Sequence, residues 1–157
     1  MYLLKKTIFI ALLILCQTVI FPRLNFFGVI PDLFLIAAVV FSVLEEEKSA
    51  MITATIIGFV QDIFSEKIYF NTVFKGIASA IINFIKADFK GDDYSFSAMM
   101  LIIYSAGWVA VQHIFLFYFL GKQVSIFNFI FIFCAQTGYN LILLPVIFSI
   151  ITRMKNG

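Results

Sequence analysis

Charge is scarce in this chain, and where it occurs it forms short clusters between long apolar runs. The first run covers 3–21 and stops at Pro22-Arg23-Leu24-Asn25. The second covers 29–44 and stops at Glu45-Glu46-Glu47-Lys48. The third covers 49–64 and stops at Ser65-Glu66-Lys67. The fourth covers 68–85 and opens onto the longest polar stretch, Lys86 to Asp93. The fifth covers 96–120 and ends at Gly121-Lys122-Gln123, and the sixth, 124–151, precedes Arg153 and Lys155. A spanning helix needs about 17–25 residues. The pattern therefore predicts an all-α, polytopic integral membrane protein with about six transmembrane helices. The second and third runs are short enough to be tilted or partly re-entrant.

Composition agrees. The chain is 62% hydrophobic and 13% charged, against about 45–50% and about 25% in soluble domains. Its mean hydropathy is +1.05. So few polar residues could not cover a water-facing surface. A soluble enzyme, a disordered tail and a secreted disulfide scaffold are excluded, and residues 1–157 read as a single membrane domain. A net charge of +2 leaves no basic stripe for nucleic acid. Cys16 and Cys134 lie inside apolar runs with no CxxC spacing, and read as small hydrophobes. The spacing implies no metal or other cofactor.

Lys5 and Lys6 precede the apolar stretch Thr7–Phe21, as in a signal peptide. No small-x-small cleavage site precedes Phe21-Pro22-Arg23, and more apolar runs follow, so a retained first helix is expected. Placing the N-terminus inside puts Lys5, Lys6, Lys48, Lys86, Lys90, Arg153 and Lys155 on the cytoplasmic side, and Arg23, Lys67 and Lys122 outside. The positive-inside rule then predicts that both termini are cytoplasmic.

Charge inside a bilayer costs about 2.5–3.5 kcal/mol on insertion scales, so each intramembrane polar residue requires a reason. The strongest cases are Asp32, Asp62 and Lys75; weaker ones are Gln17, Asn71, Asn83, Gln112, His113, Gln136 and Asn140. Asp62 falls in the last turn of the third helix and Asp32 opens the second. Asn71 and Lys75 are four apart and share a helix face. The expectation is a polar cluster of Asp32, Asp62, Asn71 and Lys75 in the outer half of the bundle, with an Asp62–Lys75 ion pair. The plainer alternative leaves the two aspartates at the interface with Lys75 snorkelling outward.

Ala50, Ala54 and Gly58 recur every four residues on the third helix, and Gly76 and Ala80 repeat that spacing on the fourth. Small residues at this interval let helices approach closely in lipid, within the chain or against a partner. Gln112, His113, Gln136 and Asn140 suit interhelical hydrogen bonds. Pro31 suits a helix start, and Pro145 is expected to kink the sixth helix. No nucleophile elbow, P-loop or HExxH occurs, which speaks against an enzyme.

Two stretches carry a family resemblance. Gly28-Val29-Ile30-Pro31-Asp32-Leu33-Phe34-Leu35 resembles the Gly-x-x-Pro-Asp-Leu-hydrophobic segment that opens the second helix in the rod shape-determining MreD family. Gly58-Phe59-Val60-Gln61-Asp62-Ile63-Phe64-Ser65, followed by Asn71, resembles that family's Gly-x-x-x-Asp-hydrophobic-hydrophobic-Ser segment and its downstream Asn or His. Size and six-span layout agree over the whole chain. The turn Glu66-Lys67-Ile68-Tyr69-Phe70 departs from the family, which usually has Gly and Pro there. The resemblance implies a non-catalytic scaffold of the bacterial inner membrane. It would bind an MreC-type protein and, through it, MreB, RodA and the RodA transpeptidase, organising lateral wall synthesis and maintaining rod shape. Membrane lipid is the other implied partner, and self-association stays open. The family's fold resembles the S-component of energy-coupling-factor transporters. The competing reading is therefore a vitamin-binding transporter subunit with its site at the outer cluster. S-components commonly dock through Ala-x-x-x-Ala in the first helix, where this chain has only Ala11.

Overall fold

The computed structural model describes residues 1–24, 28–65, 70–121 and 125–157. Among them there are six α-helices and no β-strand. Helix α1 is Tyr2–Leu15, prolonged by a π turn, Cys16–Ile20, and a 3-10 turn, Phe21–Leu24. Then follow α2 (Leu33–Leu44), α3 (Glu47–Ser65), α4 (Phe70–Lys86), α5 (Asp93–Leu120) and α6 (Ile126–Asn156). Three of these stretches are long and apolar enough to cross a membrane: Tyr2–Arg23, Asp93–Tyr118 and Ile126–Asn156. The family-variant turn at 66–69 lies outside the described residues.

The core is built around α2. A helix that is apolar on every side must be buried on every side, and all 12 residues of α2 are. It packs against α3, α4, α5 and α6. Its one polar residue, Ser42, donates to the carbonyl of Ala38 and shares a hydrogen bond with Ser79 of α4. The second apolar run starts at Val29, but the helix starts only at Leu33. Asp32 caps it, its carboxylate accepting the Leu35 N–H at 2.9 Å. At about 1.5 Å per residue, α2 is about 18 Å long, well short of an apolar core about 30 Å thick.

The small-residue stripe closes the α3–α4 hairpin. A methyl group added at Gly58 would lie 2.4 Å from the Asn71 carbonyl oxygen and 2.8 Å from the Thr72 Cα, so the two backbones touch there. At Gly76 the nearest atom would be the Thr55 hydroxyl, at 3.0 Å. Ala50 and Ala54 are fully buried, and Ala80 is half-buried. Helices α5 and α6 pack along each other. The left-handed Gly121 ends α5, and Pro145 sits inside α6, which runs on to Asn156. Helix α1 is peripheral, with only Lys6, Phe9 and Leu13 buried.

Candidate functional site

A helix N-terminus leaves four backbone N–H groups without intrahelical partners. Buried as it is, α2 draws partners from other helices. The Leu33 N–H donates to Gln17 Oε1 at 2.8 Å, and Gln17 Nε2 donates back to the Pro31 carbonyl at 3.0 Å. The Asp32 N–H donates to Asn140 Oδ1 at 2.9 Å, and Asn140 Nδ2 donates to Ser105 Oγ at 3.2 Å. Gln17 thus ties the end of α1 to this point, and Asn140 and Ser105 tie α6 and α5.

The free edge of Asp32 faces α3 and α4. Its Oδ2 lies 3.8 Å from Lys75 Nζ and accepts from Gln61 Nε2 at 3.3 Å. The Lys75 ammonium donates to Gln61 Oε1 and, at 3.1 Å, to Asn71 Oδ1. It stands 5.3 Å from the centre of the Trp108 ring, and Lys75 is only 1% exposed. Asn71 carries the chain onward. Its Nδ2 and backbone N–H donate to Asp62 Oδ1 at 2.8 and 3.0 Å. The Thr72 N–H and hydroxyl donate to Asp62 Oδ2 at 2.8 and 2.6 Å. The carboxylate of α3 therefore satisfies the first free N–H groups of α4 and sits at the positive end of its dipole.

The structure brings Asp32, Asp62, Asn71 and Lys75 into one connected network. One feature differs from the sequence expectation. The ion partner of Lys75 is Asp32, because Asp62 is turned onto the start of α4, and Asn71 bridges the two. The network stands where the start of α2, the end of α3 and the start of α4 meet, at the middle of the two long helices. Ser105 is the thirteenth of 28 residues in α5, and Asn140 the fifteenth of 31 in α6. Beyond it α5 and α6 each continue for about 21–23 Å at 1.5 Å per residue. Lys75 is buried in the bundle rather than snorkelling.

Sequence reasoning named Gln17 and Asn140 as secondary candidates and missed Gln61, Thr72, Ser105 and Trp108. Gln61 had a visible signal, a long polar side chain beside Asp62 in an apolar run. Ser105 and Trp108 had none. Of the other candidates, Asn83 donates to the Ser79 carbonyl at 2.8 Å. His113 Nδ1 lies 2.8 Å from the Val109 carbonyl, and its ring meets Phe129 edge-on. Among the described residues no group of three or more His, Cys, Asp or Glu is arranged to hold a metal ion.

A second polar group caps the other end of α2. Glu45, the first of the three glutamates that close the second apolar run, is buried, whereas Glu46 and Glu47 are exposed. Its carboxylate accepts two bonds from Lys6 Nζ, at 2.7 and 2.8 Å, and others from Tyr2, Ser49 (2.8 Å) and Thr53 (3.2 Å). Burial pushes this carboxyl up; the hydrogen bonds from Lys6, Tyr2 and Ser49, with the charge of Lys6, outweigh that and hold it below the ordinary range. The last carbonyls of α2, Val43 and Leu44, accept from the ammoniums of Lys86 and Lys155. Cations at a helix C-terminus favour its dipole.

Compared with models of known protein families, with characterised proteins and with solved structures, the chain matches none.

Proposed function

We propose that this chain is a six-span inner-membrane protein of the MreD family, with both termini cytoplasmic, acting as a non-catalytic scaffold of the cell-elongation machinery. Its direct partner is an MreC-type protein, which links it to MreB, RodA and the RodA transpeptidase. One observation carries the reading. The residues behind the resemblance are the ones on which the interior is framed. Asp32 caps α2, Gly58 permits the α3–α4 contact, Asp62 anchors the start of α4, and Asn71 joins Asp62 to Lys75. A motif consumed in holding helices together suits a scaffold better than a ligand site or a reaction centre.

Six spans are supported by the outward faces of the shorter hairpin. Ile52, Ile56, Phe59 and Ile63 on α3, and Val73, Ile77, Ile81 and Phe84 on α4, are exposed apolar side chains at helical spacing. Such a surface belongs in lipid.

Depleting the protein tests the proposal. Cells are expected to lose rod shape and round up, and the tagged protein to co-purify with an MreC-type partner. Normal rods with impaired vitamin uptake would overturn the scaffold reading in favour of the transporter subunit.

A further inference from the structure

Helix α1 is tied to the bundle near its two ends, by Lys6 to Glu45 and by Gln17 to Pro31 and Leu33. Between the ties it stands off from α3 and leaves a cavity of about 560 Å³. Ile10, Ala11 and Ile14 form one wall, and Ile52 and Ile56 the other. The cavity is polar at one end only, where Lys6, Thr7, Ser49 and Thr53 line it. Glu45 is already satisfied there by Lys6 and the two hydroxyls of Ser49 and Thr53. An ammonium has three N–H donors. Lys6 spends two on Glu45, which leaves one for an anion. Glu46 lines an adjoining cavity with Tyr2, Glu45, Lys155 and Ser49, the last of which borders both.

Length and girth restrict the occupant. Leu3 to Ile14 spans about 16 Å of helix, close to half of an apolar core about 30 Å thick. The cavity is therefore one leaflet deep. A transmembrane helix about 10–12 Å wide and about 30 Å long has several times this volume, and its apolar middle would leave the polar end unmatched. The cavity on the other flank of α1, about 370 Å³ between α1 and α6, is lined by apolar side chains and Cys16 and has no polar end to orient an amphiphile.

We propose that the α1–α3 cavity seats an acyl chain of a glycerophospholipid from the cytoplasmic leaflet, with the phosphate at the Lys6–Ser49 end. The proposal rests on the membrane reading given above. Ala11 and Ile56 are exposed and face each other across the cavity, so Ala11→Trp and Ile56→Trp fill it without entering the core. The protein is delipidated in detergent, incubated with dioleoyl phosphatidylglycerol, re-isolated by gel filtration and assayed for bound phosphorus. The wild-type chain is expected to retain the phospholipid in equimolar amount, and both variants to lose at least nine-tenths of it, roughly a tenfold weakening. Equal retention by all three would overturn the site. So would a wild-type dimer that either tryptophan turns into a monomer, which gives the cavity to a second copy. Alkaline carbonate extraction of native membranes separates the two levels. Release of the wild-type chain would overturn the membrane reading and the site together, whereas equal lipid retention by carbonate-resistant chains would overturn the site alone.

Discussion

Asp32 and Lys75 face each other at 3.8 Å with the Gln61 amide spanning them, donating to the carboxylate and accepting from the ammonium. Gln61 thus satisfies both charges of a buried pair that does not itself close to hydrogen-bonding distance. Removing one member of a buried pair leaves the other uncompensated, at a cost of about 3–5 kcal/mol. Lys75→Ala is expected to destabilise the fold by that order. In double-mutant cycles the coupling of Lys75 to Asp32 should exceed its coupling to Asp62, within the about 0.5–3 kcal/mol typical of contacting residues. Unfolding followed by fluorescence of Trp108, the single tryptophan, reads this directly. A larger coupling to Asp62 would reverse the assignment.

Gly58→Ala should be the most damaging of the small substitutions. Its methyl group meets backbone, which cannot turn aside as a side chain can. Overpacking of this kind costs about 1–3 kcal/mol. Gly138→Ala in α6 is the control, because nothing lies within 4 Å of the added methyl; it should gain about 0.5–1 kcal/mol from helix propensity. Thermal melting of the two variants in the same detergent gives the comparison. Equal losses would remove the close approach as the cause.

Gln17 both donates and accepts at the start of α2, so no single charged residue replaces it. Gln17→Ala leaves the Leu33 N–H and the Pro31 carbonyl without these partners, at about 1–3 kcal/mol. Gln17→Glu keeps the acceptor and loses the donor, and should not restore stability. Rescue by glutamate would show that the Pro31 contact is idle.

The folded carboxyl of Glu45 is held below its ordinary value of 4.5. A depressed carboxylate contributes stability that is fully present above the unfolded value and is lost as pH falls through the folded one. Wild type should therefore exceed Glu45→Gln in melting temperature at neutral pH, and the gap should shrink as the buffer is taken below about 4.5. A gap independent of pH would mean that the charge of Glu45 contributes nothing.

Much of the framework is legible in the sequence because lipid makes polar residues expensive. Lys75, Asp62, Asn71 and Asp32 stand out from apolar runs, and the four-residue spacing of Asn71 and Lys75 places them on one face. Partner choice is not legible. Whether Lys75 meets Asp32 or Asp62 depends on the free N–H groups at the start of α4, which a list of residues does not display. The level of the network within the bundle is not legible either; the contacts of Ser105 and Asn140 place it midway along α5 and α6. Nothing in the run Glu45-Glu46-Glu47 distinguishes its members, and only the fold shows that the first turns inward.

The two polar caps of α2 also set the order in which this protein can be completed. The bond from Asp32 to Asn140 links residues 108 apart, and that from Lys155 to Leu44 links residues 111 apart. When α2 leaves the ribosome, Gln17 and the Asp32 carboxylate are already in place at its start, but Asn140 and Lys155 have not yet been made. Until α6 arrives, the Asp32 N–H and the Leu44 carbonyl must find other partners. Helix α6, made after α2, therefore completes the bonding at both of its ends. Truncation before Asn140 should leave a chain that inserts but never matures, marked for proteolysis rather than partial activity.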